Sequence, residues 1–189
     1  MNVYFVRHGY AYHNKLSEEI GDRAYFDERT EDAPLLEKGI EQANIAGKEI
    51  SNIHFDYVFC SPSLRCIETL ENLFDDKIRY IHLLDDLMEP QGEHICNKRK
   101  NIEELEEFCS KQRNNYNILN ISKKYNFEIE TYENFINRTK EFYNKILNLK
   151  TDSVQNILVI SHHDWIKTFF KNLNIDYYPK NCEIKKIIL

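Results

Sequence analysis

Residues 3–9 read Val-Tyr-Phe-Val-Arg-His-Gly, a short apolar run followed at once by an arginine and a histidine. Such a run of β-branched and aromatic residues is typical of a buried strand, and it places Arg7 and His8 at the strand's carboxyl end. A histidine beside an arginine at that position is well placed to attack phosphorus. The tripeptide Arg7-His8-Gly9 is weak alone, because so short a string often occurs by chance, and its meaning depends on the rest of the chain.

Further motifs follow in a consistent order, each just past a segment that reads as a strand. They are Ser61-Pro62-Ser63-Leu64-Arg65, then Glu89 within Met88-Glu89-Pro90-Gln91-Gly92, then Ser161-His162-His163. Turn residues bound short apolar runs at 3–6, 57–60, 78–83 and 157–160, which predicts four buried strands. A fifth strand, 184–189, is expected to close an edge of the sheet.

Helical patterns lie between these strands. Apolar residues at helical spacing predict helices starting near Leu36, from Ser63 as N-cap, around Phe135 to Leu149, and around Ile166 to Leu173. Strands that alternate with helices indicate an α/β fold, a single-domain, mostly parallel sheet flanked by helices on both faces. The segment 114–126 is rich in Asn and Lys with weak periodicity, and we interpret it either as a surface loop or as a lid.

Composition excludes several classes of function. The net charge of −6 argues against a nucleic acid or an anionic membrane as the main partner. No apolar run approaches the roughly 20 residues that span a bilayer, and the N-terminus enters a strand without a signal core. Five cysteines without framework spacing favour reduced thiols and a cytoplasmic setting. Nothing in the sequence indicates the oligomeric state.

The motifs predict a phosphate site. Ligands of open α/β sheets bind beyond the carboxyl ends of the strands, where all of these motifs fall. Arg7 and Arg65 can give forked hydrogen bonds to the oxygens of a phosphoryl group, and His162 can donate another. His8 is the candidate nucleophile, because histidine is a competent covalent catalyst and cationic neighbours favour its neutral form. Glu89 is the candidate acid for the leaving alkoxide and the base for the attacking water.

The remaining candidate residues have more than one interpretation. Asn14 either holds the His8 loop or contacts phosphate, and Ser61 either bonds His8 or the phosphate or caps a helix. His163 follows the second histidine and is a candidate phosphate contact. Because the arginines neutralise charge, we expect neither metal nor cofactor. His162, His163 and Asp164 are adjacent in sequence, and neighbours in a turn rarely converge on one ion.

Two other phosphate chemistries do not fit the spacing. Thiol phosphatases have five residues between cysteine and arginine, whereas Cys60 and Arg65 are separated by four. A P-loop with Gly-Lys-Ser/Thr is also missing from the sequence.

These motifs resemble the histidine phosphatase superfamily, also called the phosphoglycerate mutase-like family. The resemblance covers residues 3 to about 170 and rests on the residues already quoted, on Asn14, and on a D-x-P-L-x-x-x-G-x-x-Q-A pattern over 32–43. Tyr12-His13-Asn14 and Glu89-x-x-Gly92 followed by Cys96-Asn97-Lys98-Arg99 are similar to the plant and fungal branch. The resemblance implies a phosphoglycerate mutase-like fold over 1–189, with a lid or insertion near 90–130.

The implied activity is metal-independent hydrolysis of small phosphomonoesters through a phosphohistidine. A mutase of the same mechanism and an inactive phospho-ligand-binding protein are the alternatives. His163, Leu36 and Asn97 depart from the family pattern. Substrate discrimination is expected near Tyr10, Tyr12, Arg23 and Arg99 and in 114–126. Arg23, Lys98 and Arg99 either contact a second anionic group or are ordinary solvated charges.

Overall fold

A six-stranded sheet runs through the molecule in the order β4-β3-β2-β5-β1-β6. The computed structural model describes residues 1–75, 78 and 81–189. Every neighbouring pair of strands is parallel except β1 and β6, which are antiparallel. The strands are β1 (Asn2–Arg7), β2 (Tyr57–Cys60), β3 (Ile81–Leu83), β4 (Tyr116–Asn117), β5 (Asn156–Ser161) and β6 (Ile184–Ile188).

Helices cover both faces of this sheet. They are α1 (Tyr12–Ile20), α2 (Glu37–Ile50), α3 (Leu64–Leu73), α4 (Ile102–Ser110), α5 (Tyr132–Asn148) and α6 (His163–Asn172). Side chains of β1 alternate between two cores, since successive residues of a strand point to opposite faces. Tyr4 and Val6 join the core with α2, α3 and α4, whereas Val3 and Phe5 join the core with α5 and α6. The prediction of an α/β fold with a mostly parallel, doubly covered sheet is therefore confirmed.

The strands predicted at 3–6, 57–60 and 157–160 are present, and 184–189 supplies the antiparallel edge strand β6. The strand predicted at 78–83 is observed at Ile81–Leu83, and residues 76, 77, 79 and 80 lie outside the described residues. Ser63 is the N-cap of α3 by position, but its side chain does not cap the helix. The Asp32 carboxylate accepts from Leu64 N at 2.9 Å instead.

The segment 114–126 is more than a surface loop or a lid. It begins with β4, which pairs with β3, and Ile121 is buried in the core beneath α2, α3 and α4. Sequence alternation cannot reveal a strand of two residues, which is why β4 was missed. None of the helices in the described part of the chain is long and apolar enough to cross a bilayer. All five cysteines are free and buried.

Candidate active site

The sheet brings the predicted strand-end motifs to one edge. Arg7 pairs with Ser161 in the register of β1 and β5. Backbone hydrogen bonds continue beyond the strands, from His8 N to Ser161 O and from Ser61 N to Ile160 O, both at 3.0 Å. The main chain at His8 and Ser61 is therefore fixed by the ladder itself.

The His8 ring is buried and held in one tautomer. Its Nδ1 lies 2.8 Å from Gly9 O, and a carbonyl only accepts, so Nδ1 carries the hydrogen. The other ring nitrogen, Nε2, is then an unprotonated nucleophile. Burial lowers the pKa of His8 well below its usual value, and the charges of Arg65 and Arg7 lower it further. The imidazole is consequently neutral at physiological pH.

Gly9 allows the close turn that aims His8. A Cβ at this position would lie 2.6 Å from the backbone oxygen of Gly39, so no larger residue fits without moving backbone. Gly9 N donates to Thr69 Oγ1 at 2.9 Å, and the same hydroxyl donates to Arg65 O at 2.6 Å. Thr69 thus links the histidine turn to the helix that carries Arg65.

Two arginines line the pocket beside His8, and each has an incompletely satisfied guanidinium. Arg7 Nη1 donates to Pro179 O at 3.2 Å, and Arg65 Nη1 donates to Cys96 O at 2.6 Å. The Nε of each arginine is buried without a hydrogen-bond partner in the described part of the chain. Leaving such donors unmatched is unfavourable, and an entering oxyanion offers the guanidinium groups the acceptors they lack.

Glu89 lies at the N-terminus of α6, within the same pocket. Its two carboxylate oxygens accept from Asp164 N at 2.9 Å and Trp165 N at 3.0 Å. Burial raises the pKa of Glu89 to about 7, with the nearby Asp164 charge adding to the rise and the two backbone N–H groups opposing it. A carboxyl with this pKa can give and take a proton near neutral pH.

His162 and Ser61 form a pair behind His8. His162 Nε2 lies 2.8 Å from Ser61 Oγ, and its ring centroid lies 5.3 Å from that of His8. Both residues are fully buried, and Cys66 Sγ also approaches His162 Nε2 at 3.5 Å. We expected Ser61 to bond His8 or phosphate, or to cap a helix. The structure shows no bond to His8 and no cap, and its hydroxyl contacts His162 instead.

The pocket has a volume of about 330 Å³. Described residues lining it are Arg7, His8, His13, Asn14, Tyr25, Arg65, Glu89, His94, Cys96, Asn97, His163 and Asp164. Asn14 Oδ1 accepts from Ala11 N at 3.0 Å, so it braces the loop after His8 while also facing the pocket. His163 Nδ1 lies 3.2 Å from Pro179 O. Among the described residues no group of three or more His, Cys, Asp or Glu side chains is arranged to hold a metal ion.

Several residues that we expected near the substrate, at the edge of the pocket, lie elsewhere or have other partners. Arg99 was expected either to contact a second anion or to be solvated, and it does neither. It is buried, with Nε donating to Asp85 Oδ1 at 2.7 Å. Tyr10 is also buried, and its hydroxyl donates to Glu18 at 2.6 Å. Arg23 is exposed, and Lys98 pairs with Glu31 at 2.8 Å in a half-exposed ion pair.

Tyr25 and His94 line the pocket but lie outside every motif quoted from the sequence, whereas Ser61 and His162, both predicted to contact phosphate, do not line it. Tyr25 and His94 belong to irregular segments rather than to motifs, so no spacing in the sequence points to them. Tyr25 lies in the short turn Gly21–Phe26 and His94 directly precedes the turn Ile95–Asn97, and these two turns pack against each other.

A neutral, buried histidine flanked by arginines at the carboxyl edge of a parallel sheet is suited to accept a phosphoryl group. The model of the histidine phosphatase superfamily (branch 1) matches residues 3–181, and the chain belongs to this superfamily.

Similar solved structures agree with the fold. A putative alpha-ribazole-5'-P phosphatase from Escherichia coli matches with a TM-score of 0.70 at 19% identity, covering 100% of this chain and 91% of that one. A phosphoglycerate mutase from Bacillus anthracis matches with a TM-score of 0.68 at 22% identity, covering 98% and 86%. At these identities the likeness establishes the fold.

Curated relatives match over short stretches. Human ubiquitin-associated and SH3 domain-containing protein B is 38% identical over 60 residues, which is 31% of this chain and 9% of that protein. Ecdysteroid-phosphate phosphatase of Drosophila melanogaster is 45% identical over 40 residues, which is 20% of this chain and 5% of that protein. The aligned stretches thus span less than a tenth of either relative.

Proposed function

We propose that this protein is a metal-independent phosphatase that hydrolyses small phosphomonoesters through a phosphohistidine on His8. The observation that carries the proposal is the state of the His8 ring. Its Nδ1 hydrogen is engaged by Gly9 O at 2.8 Å, which leaves Nε2 free beside two arginines. The depressed pKa of His8 keeps this nitrogen nucleophilic across the physiological range.

In the first half of the proposed reaction, Arg7 and Arg65 bind the non-bridging oxygens of the phosphate. His8 Nε2 attacks phosphorus in line as the bond to the ester oxygen breaks. The pKa of Glu89 is about 7, so below this pH the carboxyl carries a proton, which it gives to the leaving alkoxide. The products are a free alcohol, a phosphohistidine and an ionised Glu89.

In the second half, Glu89 takes a proton from a water molecule that attacks the phosphohistidine. The P–N bond breaks, inorganic phosphate leaves, and His8 returns to its neutral form. Because Ser61 Oγ holds His162 Nε2 at 2.8 Å, His162 would donate to the phosphoryl group through its other ring nitrogen, Nδ1. We assign Asn14 and His163 to the phosphate-binding side of the pocket, which both line.

We further propose that residues 90–130, here called the cover, close one side of this pocket within a single domain of residues 1–189. His94, Cys96 and Asn97 belong to the cover and line the pocket. Its two ends are joined, since Glu130 N donates to Gln91 O at 3.0 Å and Tyr125 donates to Gln91 Oε1 at 2.7 Å.

The test is hydrolysis of p-nitrophenyl phosphate between pH 5 and 8 in EDTA, with His8→Ala as control. Turnover that survives EDTA and disappears in the variant would support the proposal. A product assay with 3-phosphoglycerate distinguishes a mutase, which would return 2-phosphoglycerate rather than inorganic phosphate. Phosphate binding without turnover on any ester would identify an inactive binding protein.

A further inference from the structure

The proposed function does not say which alcohol the substrate carries. The pocket wall on the side of Glu89 restricts the kinds of alcohol that can bind there. Asn97 Nδ2 donates to Pro90 O at 2.9 Å, directly after Glu89. The turn Ile95–Asn97 therefore adjoins the proposed acid. Because the acid must protonate the leaving oxygen, the alcohol lies on this side of the pocket.

An aromatic pair forms this wall. The rings of Tyr25 and His94 have centroids 5.1 Å apart with an interplanar angle of 35°, and both side chains line the pocket. Phe26 supports His94 from another direction, with centroids 5.2 Å apart at 87°. His94 is also held by its turn, because Cys96 O two residues later accepts from Arg65 at 2.6 Å.

The charges of the pocket are unevenly placed. Among the described residues that line it, the only guanidinium or ammonium groups are Arg7 and Arg65, which the phosphate itself would occupy. Glu89 and Asp164 line the same space and carry carboxyl groups. Arg99, a candidate for binding a second anion, instead forms an ion pair with Asp85. A carboxylate or second phosphate on the alcohol would meet the Asp164 carboxylate, while Arg7 and Arg65 are taken by the reacting phosphate.

We propose that Tyr25 and His94 form a specificity wall that selects phosphomonoesters of alcohols bearing a flat, uncharged ring. Esters that carry a second anionic group are poor substrates of this pocket. A flat ring packs against the Tyr25–His94 pair by offset or edge contacts, which a saturated ring of similar size does not reproduce. This inference rests on the proposed function and names the substrate class for the same site.

The experiment compares kcat/KM for benzyl phosphate, cyclohexylmethyl phosphate and 4-carboxybenzyl phosphate, in EDTA. All three are esters of primary alcohols, so differences in leaving-group acidity are small. We expect benzyl phosphate to exceed the cyclohexylmethyl ester by roughly 5-fold or more, the usual size of an aromatic contact. We expect it to exceed the carboxylated ester by about 10-fold, as the Asp164 carboxylate repels the added charge and no free guanidinium or ammonium group among the described lining residues offsets it.

Variants of Tyr25 and His94 test whether these two residues cause the preference for the aromatic ester. His94→Ala and Tyr25→Leu should bring the ratio of benzyl to cyclohexylmethyl ester toward unity, and His94→Lys should selectively improve the carboxylated ester. His54→Ala is the matched control, since His54 is an exposed histidine before the amino end of β2, and it should leave all ratios unchanged.

Equal kcat/KM values for the three esters would overturn the specificity wall but leave the proposed phosphatase activity standing. An equal loss on every ester in His94→Ala would do the same, because it would indicate a structural role. Failure of wild-type protein to hydrolyse any ester, p-nitrophenyl phosphate included, would overturn the proposed function and this inference with it.

Discussion

The floor of the pocket and its cover are held in place by different kinds of bond. The floor consists of Arg7, His8, Arg65 and Glu89, with His162 buried behind His8, and these residues lie at strand and helix ends. Main-chain N–H groups fix it, as in the bonds from His8 N to Ser161 O and from Trp165 N to the Glu89 carboxylate, both at 3.0 Å. Main-chain bonds join β4 of the cover to β3 and Glu130 N to Gln91 O, and side-chain pairs anchor the cover elsewhere. Arg99 binds Asp85 at 2.7 Å, and Glu130 at its end binds Arg138 at 2.7 Å.

This difference separates chemistry from selectivity. Main-chain bonds belong to the fold, so the floor keeps its geometry under most side-chain substitutions. Side-chain pairs are individually replaceable, so the cover can change shape while the reacting groups stay in place. Substitutions in the floor should therefore reduce catalysis with little loss of stability, and substitutions that release the cover should do the reverse.

The largest expected effect is that of His8→Ala on turnover. Loss of the nucleophile should lower kcat for p-nitrophenyl phosphate by about 10³-fold or more, because the covalent route is closed. Thermal unfolding followed by circular dichroism should change little. Protein quenched in alkaline detergent, in which a phosphohistidine is stable, should also lose the label transferred from a ³²P-labelled ester. A variant that retains a tenth of wild-type turnover would remove His8 from the nucleophile's role.

Arg65→Lys should have the next largest effect. The substitution keeps the charge but loses the fork that can hold two phosphoryl oxygens at once, and removing one such donor typically lowers the rate by about 10²-fold. The matched control is Arg29→Lys, at an exposed ion pair with Asp27. Steady-state kinetics on p-nitrophenyl phosphate measures both. Equal, small effects in the two variants would mean that Arg65 binds no reacting oxygen.

Glu89→Gln tests the acid through its dependence on pH and on the leaving group. The raised pKa of about 7 means that the carboxyl is protonated below this pH and loses its proton above it. Hydrolysis of an alkyl phosphate should therefore decline as the pH rises through about 7. The variant should lose about 10²-fold on alkyl esters, less on p-nitrophenyl phosphate, and should lack this decline.

Two outcomes would contradict this assignment. Equal losses on alkyl and aryl esters would point to another acid, and an unchanged pH profile in Glu89→Gln would show that a different group controls the decline. Asp32 shows that a raised pKa does not by itself mark a catalytic acid. Burial raises the pKa of Asp32 to about 6, but Asp32 does not line the pocket.

The floor was predictable from sequence because each of its motifs comes shortly after an apolar run that forms a strand. Parallel strands must carry their carboxyl ends to one edge, so order along the chain was enough to bring Arg7, Arg65 and His162 together. The partner of Ser61 was not predictable in the same way. Its hydroxyl binds His162 rather than His8, a choice set by rotamers within a buried cluster.

The cover was not predictable, because its stability comes from contacts that leave no periodic pattern. Arg99 and Asp85 are 14 residues apart, and Asp85 also accepts from Ser122 N at 2.9 Å. Tyr125 stacks on the Arg99 guanidinium with 4.0 Å between Cζ and the ring centroid. Nothing in the spacing of these residues pairs them, and a sequence rich in Asn and Lys resembles a solvated loop.

The smallest expected effect on catalysis is that of Arg99→Met, which releases the cover. The substitution retains an unbranched stem but leaves Asp85 without its main partner. Because Asp85 is still 26% exposed, we expect a loss of about 2–4 kcal/mol in the free energy of unfolding rather than the full cost of an unpaired buried charge. The kcat for p-nitrophenyl phosphate should change only a few-fold, since the floor is held by main-chain bonds.

Lys98→Met is the matched control, because Lys98 precedes Arg99 but forms its ion pair with Glu31 at a half-exposed position. An exposed pair contributes at most about 1 kcal/mol, so urea unfolding should separate the two variants clearly. If Arg99→Met instead lowered kcat as much as Arg65→Lys while leaving stability intact, the division between floor and cover would be wrong. The cover would then position the reacting groups themselves, through Cys96 O on Arg65, and selectivity and chemistry would share one set of contacts.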